Sequence, residues 1–172
     1  MPERTRRYWL MKSEPEVFSF DDLWAAEDRR TFWDGVRNYT ARNSMRDVMK
    51  KGDGILFYHS NADPPGVAGL AEVAREGYPD ASAFDPNDPH FDPRSDPQAP
   101  RWYGVDVRAT RRLKALVSLA ELKANPKLAT MAVVQRGQRL SVQPVTRAEW
   151  EEVCRMGGVP PDRPRLSAHE RA

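Results

Sequence analysis

From Tyr78 to Pro100 the sequence reads YPDASAFDPNDPHFDPRSDPQAP, with six prolines and five aspartates in 23 residues. Proline lacks a backbone N–H and disfavours helix at the residue before it, so a run of Asp-Pro pairs excludes both a helix and an interior strand. A long, extended, solvated surface loop is expected here. The core must then be assembled from apolar runs on either side of it, and those runs are short.

Tyr8 to Ser13 (YWLMKS) predicts a strand that stops at Glu14-Pro15. Ser19 followed by Asp21 and Asp22 is N-cap chemistry and predicts a short helix from Asp21 to about Glu27. Ala41, Met45, Val48 and Met49 fall on one stripe at the helical period, so a helix is expected to run to about Met49. Ile55 to His59 and Val67 to Arg75 predict strands, bounded by Lys51-Gly52-Asp53-Gly54 and by Pro64-Pro65-Gly66. Trp102 to Ala109 alternates as a half-buried strand does. Leu116 to Met131 holds a helical LAELK turn and a second turn around Lys127, separated by Asn125-Pro126. Arg139 to Pro144 is short and extended. Thr146 to Glu149 is a capping box that starts a helix running to Met156, with Val145 and Trp150 as its hydrophobic staple. Gly157-Gly158 ends it.

Five or six strands interleaved with short helices, in no regular βαβ order, predict an α+β fold: a small mixed β-barrel or curved sheet with helices against it. One domain is expected over residues 1–157, followed by a polar, proline-rich tail over 158–172 that is expected to be disordered.

The net charge is only +2, so bulk electrostatics does not announce a polynucleotide-binding protein and any such role must be local. A single cysteine, Cys154, excludes an internal disulfide framework, and a buried, inert thiol is expected. No apolar run approaches the roughly 18 residues of a membrane span. The basic N-terminal segment enters a strand without a signal-like apolar region, and a cytoplasmic location is expected. The three histidines are His59, His90 and His169, too scattered to predict a metal site, and no cofactor fingerprint is present.

WDGVRNYTARNSMR, Trp33 to Arg46, is poor in core residues outside its helical stripe. Trp33, Arg37, Asn38, Tyr39, Arg42, Asn43 and Arg46 are types that stack on rings or hydrogen-bond to phosphates and base edges. Three further groups sit at ends of extended elements: Lys12-Ser13-Glu14, Tyr58-His59-Ser60 and Ser141-Val142-Gln143. Each has a bland reading as well, a satisfied structural histidine for His59, a solvated strand end for Lys12 and a loop cap for Gln143.

YWLMKSEP, WDGVRNYTARNSMR, GDGILFYHS, AGLAEV with a following YPD, WYGVDV, and RLSVQPVT with EW after it together resemble, in order and spacing, the motifs of the EVE domain over about residues 6–156. The resemblance implies a PUA-like fold and a non-catalytic reader of a modified base, with 5-methylcytosine-type DNA or modified RNA as partner. The pocket implied is lined by Lys12, Ser13, Trp33, Val36, Arg37, Asn38, Tyr39, Tyr58, His59, Ser60, Ser141, Val142 and Gln143. Arg37, Arg42 and Arg46 are expected to hold flanking phosphates. Thr40 and Ser44 stand where many members have Gln and Asn, which removes those positions from base reading. No metal, cofactor or membrane is implied, and a monomer is the default. Two alternatives stay open: a hydrolase or nuclease using His59 with Lys12 or Glu14, and a pocket for a small nucleoside-like ligand. Asn38 carries a conflict, since local rules make it an N-cap and the resemblance makes it a base reader.

Overall fold

A computed structural model describes residues 5–161. Its elements are β1 (Tyr8–Ser13), α1 (Phe20–Ala25), β2 (Arg30–Phe32), α2 (Tyr39–Asn43), β3 (Gly54–His59), β4 (Gly66–Pro79), β5 (Tyr103–Ser118), α3 (Leu119–Ala124), β6 (Val142–Val145) and α4 (Arg147–Met156). The strands form one six-stranded sheet in the order β2-β5-β4-β3-β1-β6. The β1–β3 pair is parallel and every other pair is antiparallel.

Alternate residues of the central strands feed two core layers, one on each face. Trp9, Met11, Ile55, Phe57, Ala71 and Val73 pack with Phe20 and Leu23 of α1 and with Ala41, Met45 and Met49. Tyr8, Leu10, Leu56, Tyr58, Val67 and Leu70 pack with Leu122 of α3 and with Trp150, Val153 and Cys154 of α4. A strand covered on both faces loses its polar alternation, which is why ILFYH reads as a continuous apolar run. Of the two forms expected, a small mixed barrel or a curved sheet with helices against it, the strands make the open sheet. Its edge strands, β2 and β6, have only three and four residues and are not paired with each other.

Three helices begin with capping boxes, at Ser19, Ser118 and Thr146. The helical stripe after Tyr39 runs as far as expected, but it changes pitch: α2 gives way to a π turn over Ser44–Val48, closed by Met49 N–H donating to the Ser44 carbonyl at 2.8 Å. Two strands depart from the sequence expectation. β5 continues past Ala109 to Ser118 because it pairs with β4 as far as Gly66, although Arg111, Arg112 and Lys114 break the apolar alternation. β2 has no counterpart among the expected elements. It is held by pairing to β5 and by the Arg30 guanidinium, which donates to Asp106 at 3.0 and 2.6 Å.

The proline-rich loop is not extended. Asp85, Asp88, Asp92 and Asp96 each accept, through Oδ1, the backbone N–H two residues on, at 2.8–2.9 Å. Each Asp-Pro pair is thus a turn, because the aspartate folds back over the fixed φ of its proline. At the other end of the chain, Val159 N–H donates to the Cys154 carbonyl at 3.0 Å and its side chain packs on the α4 layer. Most of the expected tail, residues 162–172, lies outside the described residues. Among the described residues no helix is long and apolar enough to cross a membrane.

Candidate functional site

The ends of three neighbouring strands bring eight of the expected pocket residues together. Lys12 is in register with Tyr58 and Ser13 with His59, while Met11 faces Val142 on the other side. Ser60 N–H donates to the Ser13 carbonyl at 3.0 Å and Lys12 N–H to the Ser141 carbonyl at 2.8 Å. The parallel β1–β3 pair sends both strands out at the same end, so their last residues share one rim. On that rim Lys12 Nζ lies 3.5 Å from the Gln138 carbonyl and 6.0 Å from the Tyr58 ring centre. Burial lowers the Lys12 pKa and raises that of Tyr58.

Several of these groups already have partners. Ser13 Oγ donates to the Phe18 carbonyl at 2.6 Å. His59 Nε2 accepts the N–H of Phe20, the first residue of α1, at 3.1 Å, so its lone pair there is used in holding the helix start. Gln143 is 1% exposed, and its Nε2 donates to the Leu140 carbonyl at 2.8 Å. Its Oε1 is buried with no hydrogen-bond partner, a condition that buried acceptors rarely keep without a reason.

His59 supplies a pH test. Burial lowers its pKa below the usual 6.5, so the unfolded chain takes up the proton more readily than the folded one. The contribution of His59 is therefore complete above the unfolded value and is lost as pH falls through the lowered folded value. The melting temperature is expected to drop as pH falls below about 6.5, and His59→Gln to flatten that part of the profile. Equal slopes in the two proteins would exclude this role.

The segment from Trp33 to Arg46 divides differently from the sequence expectation. Trp33 is 8% exposed, its ring edge-on to Phe57 at 5.4 Å, and Val36 is buried with it. Both belong to the core layer of α1 and α2. Phe57 in turn meets the His59 ring edge-on at 5.8 Å, so Trp33 is joined to the strand-end rim through the core. Asn38 is the N-cap of α2: its Oδ1 accepts Ala41 N–H at 3.1 Å, as local rules require. Tyr39 is 51% exposed and stacks on Trp102 with ring centres 4.9 Å apart and planes at 23°.

The arginines are unequally available. Arg37 donates to Asp80 Oδ2 at 3.1 Å, to the Val36 carbonyl at 3.0 Å and to the His90 carbonyl at 2.6 Å. Arg42 donates to the Arg101 carbonyl at 2.7 Å and to Asn43 at 2.9 Å. Arg46 is exposed and pairs with Asp47 at 2.8 Å.

Sequence reasoning misses the partners that the proline-rich loop supplies. Asp80 Oδ2 accepts Gly35 N–H at 2.8 Å, Trp102 Nε1 donates to Asp92 at 2.6 Å, and Trp102 carries Tyr39. A loop read as solvated gives no hint that it docks; only the YPD motif marks the spot. Burial tends to raise the Asp80 carboxyl, but hydrogen bonds from Ser82, Gly35 and Arg37 outweigh it, and its pKa lies below the ordinary carboxylate value. Among the described residues one group, Asp34, Asp88 and His90, brings three potential metal-ligand atoms within 4.8 Å of one another. It is partly exposed, with His90 Nδ1 3.2 Å from Asp88 and 3.7 Å from Asp34.

The EVE domain profile matches residues 7–156, nearly all of the described chain. The chain belongs to the EVE-domain family. Human thymocyte nuclear protein 1 is 45% identical over an alignment of 163 positions that covers 85% of this chain and 72% of the relative. A hypothetical protein from Leishmania major has a structure similar to this EVE domain, with a TM-score of 0.84 at 46% identity, covering 90% of this chain and 96% of that one. The structure of human thymocyte nuclear protein 1 in complex with 5-methylcytosine-containing DNA aligns with a TM-score of 0.83 at 44% identity, over 90% of this chain and 99% of that chain. The open sheet flanked by helices is therefore the PUA-like fold of this family.

Proposed function

We propose that this EVE domain is a non-catalytic reader of nucleic acid carrying a modified base, with DNA containing 5-methylcytosine as the leading ligand. The observation that carries the reading is the complex of human thymocyte nuclear protein 1 with 5-methylcytosine-containing DNA, which matches this chain at 44% identity over nearly all of both. The rim formed by β1, β3 and β6 is the proposed place of capture. There the buried, unpartnered Oε1 of Gln143 offers an acceptor to the exocyclic amine of a cytosine.

Taking a base out of a duplex costs a few kcal/mol, and contact with an aromatic ring returns roughly 1 to 3 kcal/mol per base. Burying the added methyl contributes only about 0.8 kcal/mol, near a fourfold preference. Sharper selection needs polar groups that a wrong ligand leaves unpaired. A hydrolase built on His59 is the weaker reading, because Nε2 of that imidazole is already engaged by the start of α1.

The test is a titration of labelled single and double strands, DNA and RNA, with and without the modification, free nucleosides serving as controls. Binding of methylated DNA about fourfold or more above unmethylated DNA at moderate salt is expected. No binding above the nonspecific level, turnover of any nucleic acid, or binding of free nucleosides alone would overturn the reading.

A further inference from the structure

We propose that Asp80 and Arg37 are positioning residues: as a buried buckle between the proline-rich loop and the Val36–Tyr39 segment, they set how sharply the domain discriminates its base without themselves touching nucleic acid. The inference rests on the modified-base reading. Asp80 is 0% exposed, and its two carboxylate oxygens are fully used. Oδ2 accepts Gly35 N–H at 2.8 Å and Arg37 Nη1 at 3.1 Å; Oδ1 accepts Ser82 N–H at 2.9 Å and Ser82 Oγ at 2.6 Å. The loop therefore grips the chain on both sides of Val36.

Arg37 completes the buckle from the other partner. Its Nε and Nη2 donate to the His90 carbonyl at 3.2 and 2.6 Å, and its guanidinium lies 5.3 Å from the centre of the Trp102 ring. All three guanidinium nitrogens are engaged inside the protein, so a phosphate would have to compete with a buried carboxylate for this charge. Gly35 closes the contact: it has φ +76°, and a Cβ there would lie 2.5 Å from the His90 ring. The loop can act as a brace because its ends and its middle are fixed. Asp80 N–H donates to the Trp102 carbonyl at 2.9 Å, Trp102 Nε1 is held by Asp92, and four successive Asx-Pro turns leave the chain between them few alternatives.

A positioning role and a phosphate contact make opposite predictions. Removing a phosphate contact weakens binding to all sequences alike and lowers the salt slope by about one. Loosening a brace leaves the slope alone and degrades selectivity. Asp80→Asn keeps the shape and removes the charge, and Arg37→Lys keeps the charge and removes the forked geometry.

The experiment measures affinity for methylated and unmethylated duplexes at several salt concentrations, in wild type and both variants, with thermal melting to show that each is folded at the assay temperature. In both variants the ratio of affinities is expected to fall to within about twofold of one, with affinity for unmethylated DNA and the salt slope unchanged. Wild-type selectivity in Asp80→Asn, or a slope lower by about one in an Arg37→Ala protein together with wild-type behaviour in Arg37→Lys, would overturn the inference while leaving the function standing. Loss of discrimination in the wild type itself would overturn the function, and the inference with it.

Discussion

Replacing Asp53 with alanine is expected to destabilise the protein by about 3 to 5 kcal/mol. Asp53 is fully buried in the turn before β3. Its carboxylate accepts the Trp9 indole N–H at 3.0 Å, the Arg7 N–H at 3.2 Å and the Lys50 N–H at 3.0 Å. Alanine strands a buried indole donor and two backbone donors at once, and each unmet donor costs about 1 to 3 kcal/mol. The functional consequence follows from place: Arg7 and Trp9 belong to the β1 side of the parallel pair whose far ends carry Lys12, Ser13, Tyr58 and His59. Urea denaturation and a melting temperature lower by roughly 10 °C would be the signature. A loss below about 1 kcal/mol would mean that the turn re-pairs without the carboxylate.

Gly104→Ala is expected to cost about 3 kcal/mol and to displace the Phe32–Trp33 backbone. A Cβ at Gly104 would stand 2.2 Å from the Trp33 carbonyl oxygen and 2.6 Å from the Phe32 ring. The obstacle is backbone, so it cannot swing aside as a long side chain would. Trp33 N–H donates to the Val105 carbonyl at 2.8 Å, and pushing that strand away opens the pairing of β2 with β5 as well. Gly137 is the control. It has φ +78° but nothing within 4 Å of an added Cβ, so Gly137→Ala should cost only about 1 kcal/mol, through backbone strain alone. Chemical denaturation of the two variants side by side separates crowding from strain. Equal losses would show that the approach of Trp33 to Gly104 is looser than the structure has it.

Features governed by near neighbours along the chain are legible in the sequence alone. The N-cap at Ser19, the capping box at Thr146, the strand Tyr8–Ser13 and the stop at Gly157 depend on residues within four or five positions, and all lie where the local chemistry puts them. The Asn38 N-cap is legible for the same reason. β2 is not: Arg-Thr-Phe has no pattern of its own, and only its pairing with β5 and the Arg30–Asp106 contact, far along the chain, make it a strand. The proline-rich loop reads as extended because Asp-Pro looks solvated in isolation. Its aspartates instead turn the chain locally, and its docking depends on Arg37 and Gly35, more than forty residues before it.

The candidate site divides along the same line. Residue order alone sets which residue types stand at the ends of which strands, because turns and capping are local and the family motifs keep their order. What each side chain can still offer is set by packing in three dimensions. That packing places the Trp33 ring in the core, gives His59 Nε2 to the start of α1, commits Arg37 to Asp80 and the His90 carbonyl, and leaves Gln143 Oε1 buried without a partner. The physical reason is that a hydrogen-bonding group is available only after its neighbours in space have been counted, and those neighbours come from strands and loops that sequence spacing does not bring together.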